Sequence, residues 1–363
     1  MKICHLTSVH TVTDTRIYLK ECLTLVNSGF EVSYVVPGVE NSINNGVNVI
    51  GVRKGKGNRL HRMTQTVLEV FNKAKEVDAD IYHFHDPELL PVGLALKKRG
   101  KIVIYDIHED LPRAILSKPW ISSFIRKPIA NIIEFFENYC ARKLDYLMTA
   151  TPYITKRFNQ INKNTVNINN FPLLEELITD SGSLFNSHGQ VCYIGGLVPI
   201  RGMYQLIKAA DLIEGKMIFA GPVHPKEMEL TLSNHRNIEY VGVLKRPEVR
   251  ELLHLSVAGI VTFLPEPNNV NAQPNKMFEY MSAGIPVICS DFPLWRSIIE
   301  KYKCGICVNP ESPEAIANAI NYLLNNHDVA QKMGMNGRLA IESEFNWEEE
   351  SKKMIEVYKS FGK

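Results

Sequence analysis

Asn271-Ala-Gln-Pro-Asn-Lys-Met-Phe-Glu-Tyr-Met-Ser-Ala-Gly-Ile-Pro-Val-Ile-Cys-Ser-Asp291 reads as loop, helix, turn, strand and loop. Pro274 is tolerated only at or before a first helical turn, so the helix starts there. Met277, Phe278 and Met281 form its apolar face, and Gly284 ends it. Residues 285–289 are a short apolar run of the buried-strand kind. The N–H groups at the start of such a helix attract anions. Lys276 adds a cation there. Glu279, off the Met277 and Met281 face, is either a solvated carboxylate or an acceptor for sugar or ribose hydroxyls.

The same strand–helix alternation runs outward in both directions. In the first half, strands are predicted over residues 3–6, 31–36, 47–52, 81–84, 102–105, 146–150 and 166–168. Helices are predicted over 15–28, 60–75, 88–98 and 122–142. A second alternation starts at Gln190, with strands at 191–194, 217–220, 238–241 and 258–262. The pattern predicts an α/β protein with two doubly wound, Rossmann-like domains facing a cleft. The polar run 173–189 reads as a linker between domains at 1–172 and 190–345.

The composition suits that reading. The 363 residues are ample for two domains, and 45% hydrophobic with 22% charged residues is ordinary for a globular chain. Lys and Arg number 41 against 39 Asp and Glu, so no bulk charge favours nucleic acid. No apolar run approaches the ~20 residues of a membrane span, and a cytoplasmic protein is expected. The seven cysteines are scattered. Cys304-Gly-Ile-Cys307 has redox spacing but reads as strand.

The central stretch resembles the donor-binding segment of retaining glycosyltransferases of the two-Rossmann-domain type (GT-B fold, family 4). That segment carries Glu, seven residues, Glu, then small-Gly-x-Pro-Val. Glu279 matches the second Glu and residues 283–287 the tail, while Asn271 stands in place of the first Glu. The loop Gly195-Gly-Leu-Val-Pro-Ile-Arg201-Gly resembles the family's diphosphate loop of Gly-Arg, several residues, then Lys-Gly. Gly196 replaces its Arg, Arg201 replaces its Lys, and Lys276 is expected to supply the missing charge. The resemblance implies transfer from a nucleoside diphosphate sugar, UDP- ahead of GDP-linked, to a hydroxyl of a lipid-linked glycan in bacterial surface polysaccharide. It implies donor contacts at Gly195, Arg201, Gly221, Val243, Asn271, Pro274, Asn275, Lys276 and Glu279. It places His108 by the reacting carbon. It also implies that the last helix, 346–363, returns to the N-terminal domain. A nucleotide-sugar 2-epimerase and a silent nucleotide- or glycan-binding scaffold are the alternatives.

Other residues carry readings of their own. His108, in Asp106-Ile-His-Glu-Asp110, follows a strand and is an acid–base or electrostatic candidate, with Glu109 on the acceptor side. His83 and His85 share one strand face, but no third metal ligand is obvious. They read as structural, with His85 also an acceptor-side candidate. Arg16 either meets an acceptor phosphate or pairs with Asp14 or Glu21. Asp78-Ala-Asp80 reads as a solvated loop, so neither metal nor other cofactor is expected. Residues 118–127 mix Lys and Arg with Trp120 and Phe124, and are expected at a membrane surface. Residues 129–142 read as a helix packed on the sheet by its Ile and Phe face.

Overall fold

The computed structural model describes residues 1–55, 62–118, 120–177 and 189–362. It divides into two compact units, Met1–Asn170 with Trp347–Lys363, and Phe171–Asn346. Part of the predicted linker, 178–188, and the start of the helix predicted at Leu60 lie outside the described residues. The second unit starts earlier than expected, taking in Phe171 from the predicted first domain and Leu177 from the predicted linker. Phe171 and Leu177 are buried in the core of the second unit.

The first unit is built on a sheet in the order β3-β4-β2-β1-β5-β6-β7-β8. Its strands are β1 (Lys2–Leu6), β2 (Glu31–Pro37), β3 (Ser42–Asn44), β4 (Val47–Val52), β5 (Ile81–Phe84), β6 (Ile102–Ile107), β7 (Tyr146–Thr149) and β8 (Thr165–Asn167). All neighbours pair in parallel except β3 with β4. Strand order reverses beside β1, so ligand sites are expected at the carboxyl ends of β1 and β5.

The second sheet runs β11-β10-β9-β12-β13-β14, parallel throughout. It comprises β9 (Gln190–Ile194), β10 (Lys216–Ala220), β11 (Ile238–Tyr240), β12 (Gly259–Val261), β13 (Val287–Ser290) and β14 (Gly305–Val308). Its order reverses between β9 and β12. Two apolar clusters bury its faces, one holding Met277, Phe278, Met281 and Trp295, the other Val191, Leu206, Ile260 and Ile320. Cys304 immediately precedes β14 and Cys307 lies on it, across from Cys289 in the β13–β14 ladder.

The helix Trp347–Ser360 belongs to the first unit. Trp347 Nε1 donates to Thr24 Oγ1 at 2.9 Å. Glu350 accepts from the Asn169 backbone N–H at 2.9 Å. The Tyr358 hydroxyl lies 2.6 Å from His83 Nδ1.

The helix Ser123–Ala141 departs from its sequence reading. Its buried residues are Ala130, Glu137, Cys140 and Ala141. Ile132 (68% exposed), Phe135 (74%) and Phe136 face solvent instead of the sheet. Glu137 occupies the inward position because Arg157 and Tyr105 bond its carboxylate, at 2.7 and 3.2 Å.

Candidate active site

In the second unit the loop after β9 is shaped by glycine. Gly195 has φ +117° and Gly221 φ +137°, a region that side chains disfavour. A methyl group on Gly221 would stand 2.2 Å from the Gly195 carbonyl oxygen. Backbone bonds staple three strand ends together. Gly195 N–H donates to Ala220 O at 2.8 Å, and Gly221 N–H to Gly242 O at 2.7 Å. Val243 follows in that last loop and is largely exposed.

Two cations close on the glycines. A methyl group on Gly195 would lie 3.0 Å from Lys276 Nζ and 3.8 Å from Arg201 Nη1, and one on Gly196 3.1 Å from Arg201 Nη1. Arg201 donates to Gly196 O at 3.3 Å and stacks over Phe263. Lys276 is buried, and its Nζ has no hydrogen-bond partner among the described residues. It sits 3.7 Å from the centre of the Tyr193 ring. Burial, then the Arg201 charge, hold its pKa well below the ordinary lysine value. A buried, unpaired ammonium beside a guanidinium is costly until an anion arrives.

The helix Asn275–Ser282, with Pro274 at its N-cap, presents these groups. Its Tyr280 packs against Gly259, where a methyl group would meet the ring at 2.2 Å. The Tyr280 hydroxyl accepts the Ile194 N–H at 3.0 Å, next to the glycine loop. Glu279 is not simply solvated. Arg246 Nη1 donates to it at 2.8 Å, and Arg246 Nε donates to Glu176 at 2.6 Å. The sequence reading missed Arg246 and Glu176, since no spacing links them to Glu279. Asn271 and Pro274 are half-buried and Asn275 is exposed at the head of this helix.

In the first unit Asp106 is a hub at the end of β6. Arg16 grips it with two bonds of 2.8 Å. His108 Nε2 lies 2.7 Å and His85 Nδ1 3.2 Å from the same oxygen. Burial pushes the Asp106 carboxyl up, but Arg16 and His108 outweigh it and hold it well below the usual range. Burial lowers His85 to about 4. His108 is half-buried and Glu109 exposed, whereas His85 is 2% exposed. His85 is therefore sealed from an acceptor.

Arg16 is likewise no acceptor ligand. It is 4% exposed and bonded to Asp106 and to the Ile168 carbonyl, with Glu21 at 3.1 Å. Asp14 caps the backbone of Arg16 and Ile17 instead of pairing with the guanidinium. Asp78 pairs with Lys101, and Asp80 accepts the Lys2 N–H, so this pair is structural.

Comparison with known proteins fits this arrangement. The family model for glycosyl transferases group 1 matches residues 178–340, and that for glycosyltransferase family 4 matches residues 18–168. Each half of the chain thus matches a glycosyltransferase family model, and the fold is that of the two-domain GT-B glycosyltransferases. It is 23% identical over 174 residues to the capsular polysaccharide biosynthesis glycosyltransferase CapM of Staphylococcus aureus, covering 46% of each chain. The chain spans about half the length of the curated relatives it matches. Sucrose-phosphate synthase of Thermosynechococcus elongatus shares its fold, with a TM-score of 0.81 at 16% identity over 99% of this chain and 98% of that one. So does Anabaena Alr3699/HepE, solved with UDP, with a TM-score of 0.71 at 16% identity over 99% and 100%.

Proposed function

We propose that this protein transfers a sugar, with retention of configuration, from a nucleoside diphosphate sugar to a glycan hydroxyl. The observation that carries the reading is Lys276, a buried cation without a partner, set with Arg201 against Gly195 and Gly196. A diphosphate supplies the missing counter-charge, and the absent glycine side chains leave room for its oxygens. As the sugar–phosphate bond breaks, charge accumulates on the departing diphosphate, and both cations stabilise it. No metal is needed for that role. Glu279, steadied by Arg246, accepts hydrogen bonds from ribose or donor hydroxyls. To His108, whose Nε2 lies 2.7 Å from Asp106, we assign the role at the reacting carbon that the family resemblance implies.

The UDP complex of HepE supports UDP as the donor nucleotide, and CapM supports a surface polysaccharide as the product's setting. We place the acceptor on a lipid carrier at the cytoplasmic membrane surface. Trp120, Phe124 (89% exposed), Ile132 and Phe135 are exposed, and Arg126 and Lys127 lie among them in sequence. Amphipathic surfaces of this composition bind anionic lipid. No helix among the described residues is long and apolar enough to cross a membrane.

A thermal-shift panel of UDP, GDP, ADP and CMP tests the donor. One nucleotide should stabilise the protein, by about 2.7 kcal/mol at 100 times its dissociation constant, and Glu279→Ala should remove the shift. Equal response to all four would refute base recognition. Release of free sugar from donor without acceptor would point to epimerase chemistry instead.

A further inference from the structure

Below the reaction site the first unit buries a second constellation, made of His5, Glu21, His83 and His85. One ligand-type atom from each lies within 4.8 Å of all the others. All four residues are at most 2% exposed. They come from three elements. His5 lies on β1, paired with His83 in the β1–β5 ladder. His85 follows β5. Glu21 lies on Thr15–Cys22, which is π-helical. In that wider coil residues five apart sit almost one above the other. Arg16 and Glu21 therefore both turn inward.

The spacing is that of a coordination shell. His5 Nδ1 is 3.0 Å from His85 Nε2. Glu21 Oε2 is 3.8 Å from His5 Nδ1, 3.8 Å from His85 Nε2 and 3.9 Å from His83 Nδ1. A tetrahedral ion with bonds of about 2.0–2.2 Å holds its ligand atoms roughly 3.3–3.6 Å apart. Small side-chain shifts would close the difference.

Hydrogen bonds reach the facing ring nitrogens but not the carboxylate. Both Glu21 oxygens, His5 Nε2 and His83 Nε2 are buried with no hydrogen-bond partner. Arg16 Nε approaches one Glu21 oxygen at 3.1 Å, without hydrogen-bond geometry. Each unmet buried group costs about 1–3 kcal/mol, and a carboxylate with both oxygens unmet beside three imidazoles calls for a cation.

One outer contact is of the kind that orients a metal ligand. His85 turns Nδ1 to Asp106 at 3.2 Å, which leaves Nε2 for an ion. The Tyr358 hydroxyl lies 2.6 Å from His83 Nδ1, the nitrogen that faces Glu21, and has to move aside for that nitrogen to bind an ion. A carboxylate on the far nitrogen fixes the tautomer of a ligating histidine.

We propose that His5, Glu21, His83 and His85 bind one divalent transition metal, with zinc the best match to three imidazoles and a carboxylate. Four protein ligands leave no open position, so the ion is structural. It ties β1, β5 and the π-helical segment together behind Asp106. It is distinct from any metal at the donor diphosphate.

The test is metal content of the tag-free protein from zinc-supplemented culture, after gel filtration in EDTA. About one zinc per folded chain is expected. His5→Gln and Glu21→Gln should each retain under about a tenth of that. Replacing zinc with cobalt should give the intense visible absorption of a tetrahedral centre. This spectrum needs no variant, so it decides the matter even if the variants do not fold. Wild-type protein with less than about a tenth of an equivalent would overturn the proposal. So would octahedral cobalt bands, or a folded His5→Gln that keeps its zinc. UDP binding, measured alongside, is a separate property of the other unit.

Discussion

Replacing Lys276 by Met separates a ligand-binding cation from a structural one. Met keeps most of the side-chain volume and the contact with Tyr193, while removing the charge. Two effects on stability oppose each other. The ring contact at 3.7 Å is worth about 0.5–2 kcal/mol to the ammonium. Burying that ammonium without a partner costs about 1–3 kcal/mol or more. The unliganded variant should thus lie within about 1 kcal/mol of the parent, or above it. Binding should respond differently, because a charge-assisted hydrogen bond to phosphate is worth about 1.5–3 kcal/mol. UDP affinity should fall about 10- to 150-fold by titration calorimetry. The pH dependence follows from sign. Lys276 is held below its ordinary pKa, so between that lowered value and about 10.4 the unfolded chain binds the extra proton. Stability from this residue rises with pH across that window and is lost as pH falls through it. A bound diphosphate pulls the proton back, so binding takes up protons and weakens as pH rises. Calorimetry in buffers of different ionisation enthalpy should detect the uptake in the parent and none in Lys276→Met. A variant that loses more than about 2 kcal/mol of stability yet binds UDP normally would refute the reasoning.

Arg16→Met should destabilise the first unit by about 3–5 kcal/mol in urea, because it strands the buried Asp106 carboxylate; a folded, stable variant with poor acceptor KM would restore the acceptor reading. Gly259→Ala should cost about 1–3 kcal/mol and weaken UDP binding as well, since the added methyl meets the Tyr280 ring beneath the donor loop; unchanged melting would refute the contact. His108→Ala should lower kcat more than donor affinity, and equal losses in both would remove it from the reacting centre. Phe124→Ser with Phe135→Ser should reduce sedimentation with anionic vesicles at low salt, and binding that ignores both changes would exclude this face.

The alternation of elements was readable because buried parallel strands are apolar runs bounded by turn residues. The edge strand Ser42–Asn44, exposed at all three residues, has no such signature and went unseen. The short helix Leu111–Leu116 hid behind its polar lead-in of Asp106 to Asp110. Lys276 and Arg201 were found from a helix start and a glycine loop, both local features. Arg246 was not, because its pairing with Glu279 is made only in the fold. His83 and His85 showed a shared face, but His5 and Glu21 reach them through strand pairing and a π-helical turn that no periodicity announces. The helix Ser123–Ala141 shows the converse. Its apolar positions were counted correctly, but an apolar stripe does not say what it touches. Ile132 and Phe135 are exposed while Glu137 takes the interior.

The chain passes between its two units twice, after Asn170 and after Asn346. Topologically the second unit is an insertion into the first. Residues 171–346 are one uninterrupted piece, so that half is open to expression as a simple excised segment. The first half is not. A fragment stopping at residue 170 would lack Trp347, Glu350 and Tyr358, uncovering Thr24, Asn169 and His83 in turn. Only a spliced gene joining 170 to 347 would preserve it, and screens that truncate the C-terminus will injure the opposite end of the map from the one they trim.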